Sequence, residues 1–422
     1  MAAAAVRAAE ARAVAIRLRW RDTETRLSVE DWRAAARRRL PRLAWNYVDG
    51  GADDQVTRDA NVSGFRAWRL RQRCLTGVSM PDLSVRMAGE TLGLPVALAP
   101  TGGAGLSHWS GDPAAHRAAE AAGTRAVLST ASVYTLEEVA RATQRPQWFQ
   151  LYPFGNRERV GALIRRAKDA GYSALFVTVD VPVLGNREGE RKAGMTAPWT
   201  MTPGRLLDMA TRPRWVRDVM RHGRLAPVHY REPQPDGSAP PRPADLLRGA
   251  FSAAAEAARG TDNLQRYMQG DLSWDDLAWM RDQWQGPFYV KGVLDPDDAA
   301  RAIDGLGADG VVVSNHGGRQ LDRALASIEA LPAIAARIGG RGEILFDGGV
   351  RRGTDVIAAY ALGATGVMIG RPYLYGLAVA GEAGVGAILE VFRKEIARAL
   401  VLMGCPGIAA LDRGWVIGED RR

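Results

Sequence analysis

Eight short apolar runs, rich in β-branched and aromatic residues, recur along the chain. They are Pro95-Val-Ala-Leu-Ala-Pro100, Arg125-Ala-Val-Leu-Ser-Thr130, Gln147-Trp-Phe-Gln-Leu-Tyr152 and Ala174-Leu-Phe-Val-Thr-Val-Asp180, then Pro287-Phe-Tyr-Val-Lys-Gly292, Gly310-Val-Val-Val-Ser-Asn315, Glu343-Ile-Leu-Phe-Asp347 and Thr365-Gly-Val-Met-Ile-Gly370. Apolar runs of this length read as strands buried on both faces. One amphipathic segment separates most neighbours, at 112–122, 135–142, 157–170, 295–306 and 354–362. Strands alternating with helices in this way predict an α/β fold, a (β/α)8 TIM barrel. A doubly wound sheet is the rival, but it would seldom carry eight such repeats without a dinucleotide fingerprint.

At the ends of these runs stand Pro100 with Thr101, Ser129, Gln150 with Tyr152, Thr178 with Asp180, Lys291, Asn315 with His316, Asp347, and Gly370 with Arg371. They fall at C-terminal strand ends, the face where this fold builds active sites. Two regions stand outside the repeat. Residues 1–94 form a helical N-terminal extension, with a helix at 29–40 and the string Tyr47-Val-Asp-Gly-Gly-Ala52; residues 95–422 form the barrel. Residues 189–271 form a long insertion after strand four, with a Pro-rich stretch at 233–243. A loop of that length is usually a lid, a binding segment or disorder.

Composition narrows the class. With 46% hydrophobic and 24% charged residues, the chain is neither disordered nor fibrous. Two cysteines, Cys74 and Cys405, exclude a disulfide framework or a multi-thiolate metal site, and no metal is expected. No uncharged apolar run reaches about 18 residues, so no bilayer-spanning helix is expected. The net charge is +9, and only four of the 56 basic residues are lysine, which suggests codon bias as much as anion binding. Residues 1–42 carry 11 Arg against 5 acids, and residues 201–250 carry 9 against 5. No aromatic-interleaved basic motif accompanies them, so nucleic acid is not an expected partner. Arg7, Glu10 and Arg12 break the apolar core an export signal needs, and a frayed arm is preferred to a presequence.

The sharpest string is Ser314-Asn-His-Gly-Gly-Arg-Gln-Leu-Asp322. It follows a strand directly, which puts His316 at the barrel mouth, and its glycines let backbone approach a ligand. Arg319 can grip a carboxylate in a bidentate fork. A base beside such a clamp suits proton removal from a 2-hydroxy acid. A histidine that merely caps a strand is the bland alternative, and Arg319 and the glycines weigh against it. Asp347-Gly-Gly-Val-Arg-Arg-Gly353 and Ile369-Gly-Arg371 lie where strands seven and eight commonly build a phosphate cradle, with Arg351 and Arg371 adding charge. Lys291 can stabilise negative charge on a reduced cofactor or form a buried ion pair. Asp180 can orient His316 or serve as a cap or structural bridge. Arg187, in Gly185-Asn-Arg-Glu, is a second carboxylate ligand or a surface charge.

These strings resemble the FMN-dependent α-hydroxy acid oxidases and dehydrogenases over nearly the whole chain. The mandelate and membrane-associated lactate dehydrogenase branches look nearest, on Asp49-Gly-Gly-Ala52, Pro100-Thr-Gly102, Leu128-Ser-Thr-Ala-Ser132, Phe149-Gln-Leu-Tyr152, and Pro213-Arg-Trp through Arg221-His-Gly223. The resemblance implies that His316 is the catalytic base, Asp180 its carboxylate partner and Tyr152 the neighbour of the substrate hydroxyl. Arg319, Arg187 and Tyr47 match the residues around the substrate carboxylate. Pro100, Thr101 and Gly102 match the stretch facing flavin N5, while Ser129, Gln150 and Thr178 match contacts to the isoalloxazine ring. Lys291 matches the lysine near N1 and O2, Ser314 another cofactor residue and Asp347 the ribityl region. Gly349, Arg351, Gly370 and Arg371 match the phosphate cradle. Ala131 stands where some short-chain oxidases have a bulky aromatic, leaving room for a larger substrate side chain, and Gly102 replaces an alanine common among oxidases.

The expected activity is FMN-dependent oxidation of an L-2-hydroxy acid, mandelate-like or lactate, to the 2-oxo acid, with electrons passing to a quinone or other carrier. The alternative is an oxidase that uses O2 and releases H2O2. A phosphate-binding barrel without redox chemistry is disfavoured by His316 and Arg319. Carbanion and hydride routes both stay open. Arg212, Arg214, Arg217, Arg221 and Arg224 accompany Trp215 and Val219 in the insertion, so 195–260 either rests on an anionic membrane or covers the barrel. The expected location is cytoplasmic, with peripheral contact on the inner membrane face left open. A homotetramer is implied by the resemblance alone.

Overall fold

Each apolar run forms a strand, and all eight lie parallel in one sheet. In chain order they are Ala97–Leu98, Val127–Ser129, Trp148–Leu151, Ala174–Thr178, Phe288–Val293, Gly310–Val313, Glu343–Phe346 and Gly366–Ile369, numbered one to eight here. Strand eight pairs with strand one, Met368 opposite Ala97 and Ile369 opposite Leu98. A bridge from Leu98 to Ala126 closes the ring. This computed structural model describes residues 26–195, 200–225, 227–229 and 272–418. The N-terminal arm up to residue 25 and the Pro-rich 233–243 lie outside the described residues.

Because successive strand residues face opposite sides, the runs supply two packed layers. Trp148, Phe176, Tyr289, Val312, Leu345 and Met368 share the cluster inside the ring. Phe149, Leu175, Val177, Val290, Val311 and Phe346 join the cluster between sheet and helices. The helices match the amphipathic segments, including Gly111–Ala121, Leu136–Arg141, Arg157–Asp169 and Gly353–Ala361. The segment expected as one helix at 295–306 is helical over Pro296–Ala300 and then widens into a π turn, Arg301–Gly305.

The extension is more than helical. Helices Val29–Arg39, Arg42–Asp49 and Val56–Ser63 are followed by strand Trp68–Leu70, which pairs antiparallel with Val416–Gly418 near the other end of the chain. A hairpin of Val85–Met87 and Glu90–Leu92 then plugs the barrel, with Met87 and Leu92 joining the inner cluster. These strands are too short for an alternating pattern to announce them. The plug leaves the C-terminal face open. Over that face, Asp49 binds Arg33 Nε and Nη2 at 2.9 and 2.8 Å and accepts Tyr375 Oη at 2.6 Å. Burial pushes its carboxyl up, but Arg33 and Tyr375 hold it net below the ordinary range.

Among the described residues one helix, Arg371–Met403, has the length and apolar content to cross a bilayer. It breaks at Ala380 and Gly381, and Val385, Ile388, Leu389 and Phe392 are fully buried in the protein core. Its apolar surface is therefore used against Val29–Arg39 and Gly111–Ala121 within the fold.

Candidate active site

Strand six delivers Ser314, Asn315 and His316 to the open face. His316 has φ +59°, and Gly317 and Gly318 follow at +66° and +71°. A side chain rarely accepts this left-handed region, and the two glycines extend it without steric conflict. The turn aims the imidazole across the mouth. Its Nδ1 lies 3.1 Å from Asp180 Oδ1, and its Nε2 lies 3.1 Å from Tyr152 Oη. Asp180 has room for this because its neighbour on strand five is Gly292, where a Cβ would sit 2.5 Å from Asp180 Cγ. With Nδ1–H donated to the carboxylate, Nε2 keeps its lone pair and accepts from the tyrosine. Burial pushes His316 below the usual histidine range, against the upward pull of Asp180. Burial raises Asp180, but His316 and Lys291 hold it net low. Burial raises Tyr152 far enough to keep it protonated.

Two guanidinium groups stand beside this row in one cavity of about 670 Å³. Arg319 Nη1 donates to Tyr47 O at 2.7 Å, its Nη2 to Glu190 Oε1 at 2.7 Å, and its plane lies over the Tyr47 ring. Arg187 Nε donates to Arg319 O and Nη2 to Gln320 Oε1, at 3.3 and 3.1 Å. Burial and the Arg319 charge pull Arg187 down, whereas Glu190 lifts Arg319 above its usual value despite burial. Arg187 is therefore a cavity residue and not a surface charge. Glu190 also lines the cavity; nothing in its short Glu-Gly-Glu-Arg-Lys string distinguishes it from a solvated acid.

At the other end the cavity meets Asp347, Gly349, Arg351, Gly370 and Arg371. Gly370 caps the N-terminus of the helix Arg371–Met403, where backbone N–H groups favour an anion. Arg371 Nη2 donates to Gly50 O at 2.6 Å, yet its buried Nε has no partner among the described residues. Burial and neighbouring cations pull Arg371 down to about 10. A buried guanidinium at a helix N-terminus, its Nε unpartnered among the described residues, suits a phosphate-bearing group. Between the two ends, Lys291 donates to Ser314 Oγ at 2.8 Å and pairs with Asp347 at 3.0 Å. The ion-pair alternative for Lys291 is thus present, and the same lysine also lines the cavity.

Pro100, Thr101, Gly102, Gln150 and Thr178 line the cavity as well. Ser129 lies behind them, donating to Gln150 Oε1 at 3.0 Å, and Ser314 stands behind Lys291 and Asp347. Asn315 turns away from the cavity: its amide bonds Asn61 and Leu325 O, pinning the extension to the barrel. A Cβ on Gly102 would lie 2.7 Å from Ala131 Cβ, so the space here depends on both residues being small.

Of the two readings of the arginine-rich segment, Trp215 and Val219 on helix Pro213–His222 follow the one in which it covers the barrel. Trp215 is buried, donates Nε1 to Leu106 O at 2.8 Å and packs with Val219 against the core. An indole packed in the core buries more area than one left at a surface. Among the insertion's described residues, the exposed large apolar side chains are Met201, Leu206 and Leu207, together with Met220.

The FMN-dependent dehydrogenase family model matches residues 36–417. The chain belongs to the FMN-dependent dehydrogenase family. An L-lactate dehydrogenase of Pseudomonas aeruginosa is 43% identical over 393 residues, 92% of this chain and 97% of that protein. An L-lactate dehydrogenase of Caulobacter vibrioides is 43% identical over 389 residues, 91% of this chain and 96% of that one. Among solved structures, the monotopic membrane protein (S)-mandelate dehydrogenase superposes with a TM-score of 0.84 at 36% identity, covering 93% of this chain and 99% of that one. A mandelate oxidase variant with 2-hydroxy-phenylacetamide gives 0.73 at 32% identity, covering 91% and 96%. The (β/α)8 fold, the flavoenzyme class and the FMN cofactor expected of this family member follow.

Proposed function

We propose that the protein oxidises an L-2-hydroxy acid to the 2-oxo acid and passes the electrons through FMN to a membrane quinone. The observation that carries this is the row Asp180, His316, Tyr152 beside two arginines, in a cavity whose far end is a cationic helix N-terminus. Arg351, Arg371, Gly349 and Gly370 would hold the FMN phosphate, and Asp347 the ribityl chain. Lys291, Gln150, Thr178 and the 100–102 backbone would hold the ring, with Ser129 and Ser314 fixing those side chains from behind. FMN supplies a two-electron acceptor for the substrate carbon. Arg319 and Arg187 hold the carboxylate, and Tyr47 supports Arg319 from beneath. Tyr152 orients the 2-hydroxyl. His316 Nε2 takes a substrate proton, and Asp180 stabilises the imidazolium that results.

Leu106, Ala131, Phe154, Val181 and Leu225 line the same cavity. That apolar wall supports a substrate with an aromatic or large aliphatic side chain. Peripheral membrane contact is supported by Met201, Leu206, Leu207 and Met220 standing exposed near Arg214, Arg217 and Arg221, in a relative of a monotopic protein. An anaerobic screen of 2-hydroxy acids tests the reading: (S)-mandelate or L-lactate should bleach the flavin, and a quinone should reoxidise it faster than air. No bleaching by any acid defeats the proposal, and equally fast reoxidation by air replaces the quinone with O2.

A further inference from the structure

The cavity's carboxylate end holds a charge that the proposed reaction does not call for. Two cations, Arg187 and Arg319, face a would-be anionic substrate, yet a third residue there, Glu190, is itself an anion. Its carboxylate contacts Arg319 at 2.7 Å, and both side chains are largely buried. It lies three residues after Arg187 on the short helix Glu188–Lys192, so one turn of backbone places both side chains at the cavity. A buried acid beside a carboxylate site weakens the very ligand the arginines attract, unless its charge has a use.

We propose that Glu190 is a positioning residue that fixes the Arg319 fork and, by cancelling one of two positive charges, limits how tightly the carboxylate of the 2-oxo acid product is held. This rests on the 2-hydroxy acid reading of the site. Glu190 reaches the ligand only through Arg319, whose other terminal nitrogen is committed to Tyr47 O. With Glu190 charged, the trio carries one net positive charge, and a bound carboxylate brings it to zero. With a neutral residue there, the pair of arginines keeps a full charge in excess, and Coulomb attraction in a partly buried site rises accordingly. Substrate and product share the carboxylate, so tighter binding applies to both and slows product departure without helping the chemical step.

The test compares the FMN-loaded full-length protein with Glu190→Gln, which retains an acceptor for Arg319 without the charge. Binding of oxalate and of benzoylformate is followed by the flavin absorbance change, with mandelamide as the uncharged probe. Glu190→Gln should bind oxalate and benzoylformate about ten-fold more tightly, an effect of the size expected for a partly screened charge, and should bind mandelamide unchanged. The single-turnover rate of flavin reduction should stay near that of the unaltered protein while steady-state turnover falls. Glu190→Asp keeps the charge and should leave benzoylformate affinity within about two-fold, on the same electrostatic ground. Equal or weaker benzoylformate binding by Glu190→Gln overturns the proposal, as does equal tightening for mandelamide, which would mark a change of packing. If the unaltered protein gives no flavin response to oxalate or benzoylformate, the site reading itself fails, separately from the role of Glu190.

Discussion

The two ends of the barrel each carry an arginine–glutamate pair, and they do different jobs. At the plugged end, Arg125 and Glu90 meet at 2.6 Å, and Glu90 Oε1 also accepts from Trp148 Nε1 and Ser173 Oγ, both at 3.1 Å. One cation meets one anion, and the charge closes. At the open end Glu190 pairs with Arg319 at 2.7 Å while Arg187 adds a second cation to the same cavity, and among the described residues Arg351 and Arg371 make no ion pair farther along it. An unpartnered guanidinium Nε occurs at both ends, on Arg125 and on Arg371. An orphan donor therefore does not separate support from recognition. Net charge facing an open cavity does: a structural pair is neutral within itself, whereas a binding end keeps the surplus that its ligand cancels.

Four changes break or sharpen that contrast. The largest effect is expected from His316→Ala, which should slow flavin reduction by roughly 10³–10⁴, the range of a lost general base. FMN should stay bound, and anaerobic stopped-flow reads both. Near-normal reduction would remove His316 from the role of base. Next, Arg125→Met strands Glu90 at the plugged end and should destabilise the fold by about 2–3 kcal/mol, below the fully buried case because Glu90 is partly exposed. Thermal melting should fall while the folded enzyme keeps its turnover; a loss of turnover without a loss of stability would erase the distinction between the ends. Arg319→Met at the open end should do the reverse, weakening acid substrates and oxalate by about ten- to a hundred-fold, as for a lost charge-assisted fork. An unchanged oxalate affinity would reassign it.

The smallest effect is a shift in pH dependence. His316 lies below the usual histidine range, so the acid limb of kcat/KM should fall below about pH 6.5, the unperturbed value. Asp180 raises the His316 pKa, so Asp180→Asn should move that limb to still lower pH while the plateau drops. A limb that moves upward would show that the carboxylate is not coupled to this imidazole.

Much of this was legible before any fold was known. Parallel strands buried on both faces must be continuous apolar runs, so Gly310–Val313 or Ala174–Thr178 announces itself. The site residues follow because strand ends converge on one face, and His316 with Arg319 lies within a single turn. The hairpin plug was not legible, since three-residue strands carry no period. Trp215 could not be oriented either: an indole among arginines reads equally as a membrane anchor or a core residue, and only its bond to Leu106 O decides.

The chain alone thus specified which residues are buried in strands and which chemistry stands at their ends, because both depend on neighbours a few positions apart. The tertiary path decided the charge balance. Arg319 and Glu190 are 129 residues apart in sequence, and Arg33 and Asp49 meet Tyr375 only after the chain has closed its ring. Coulomb energy depends on distance in space and on exclusion of water, and neither is written in local periodicity.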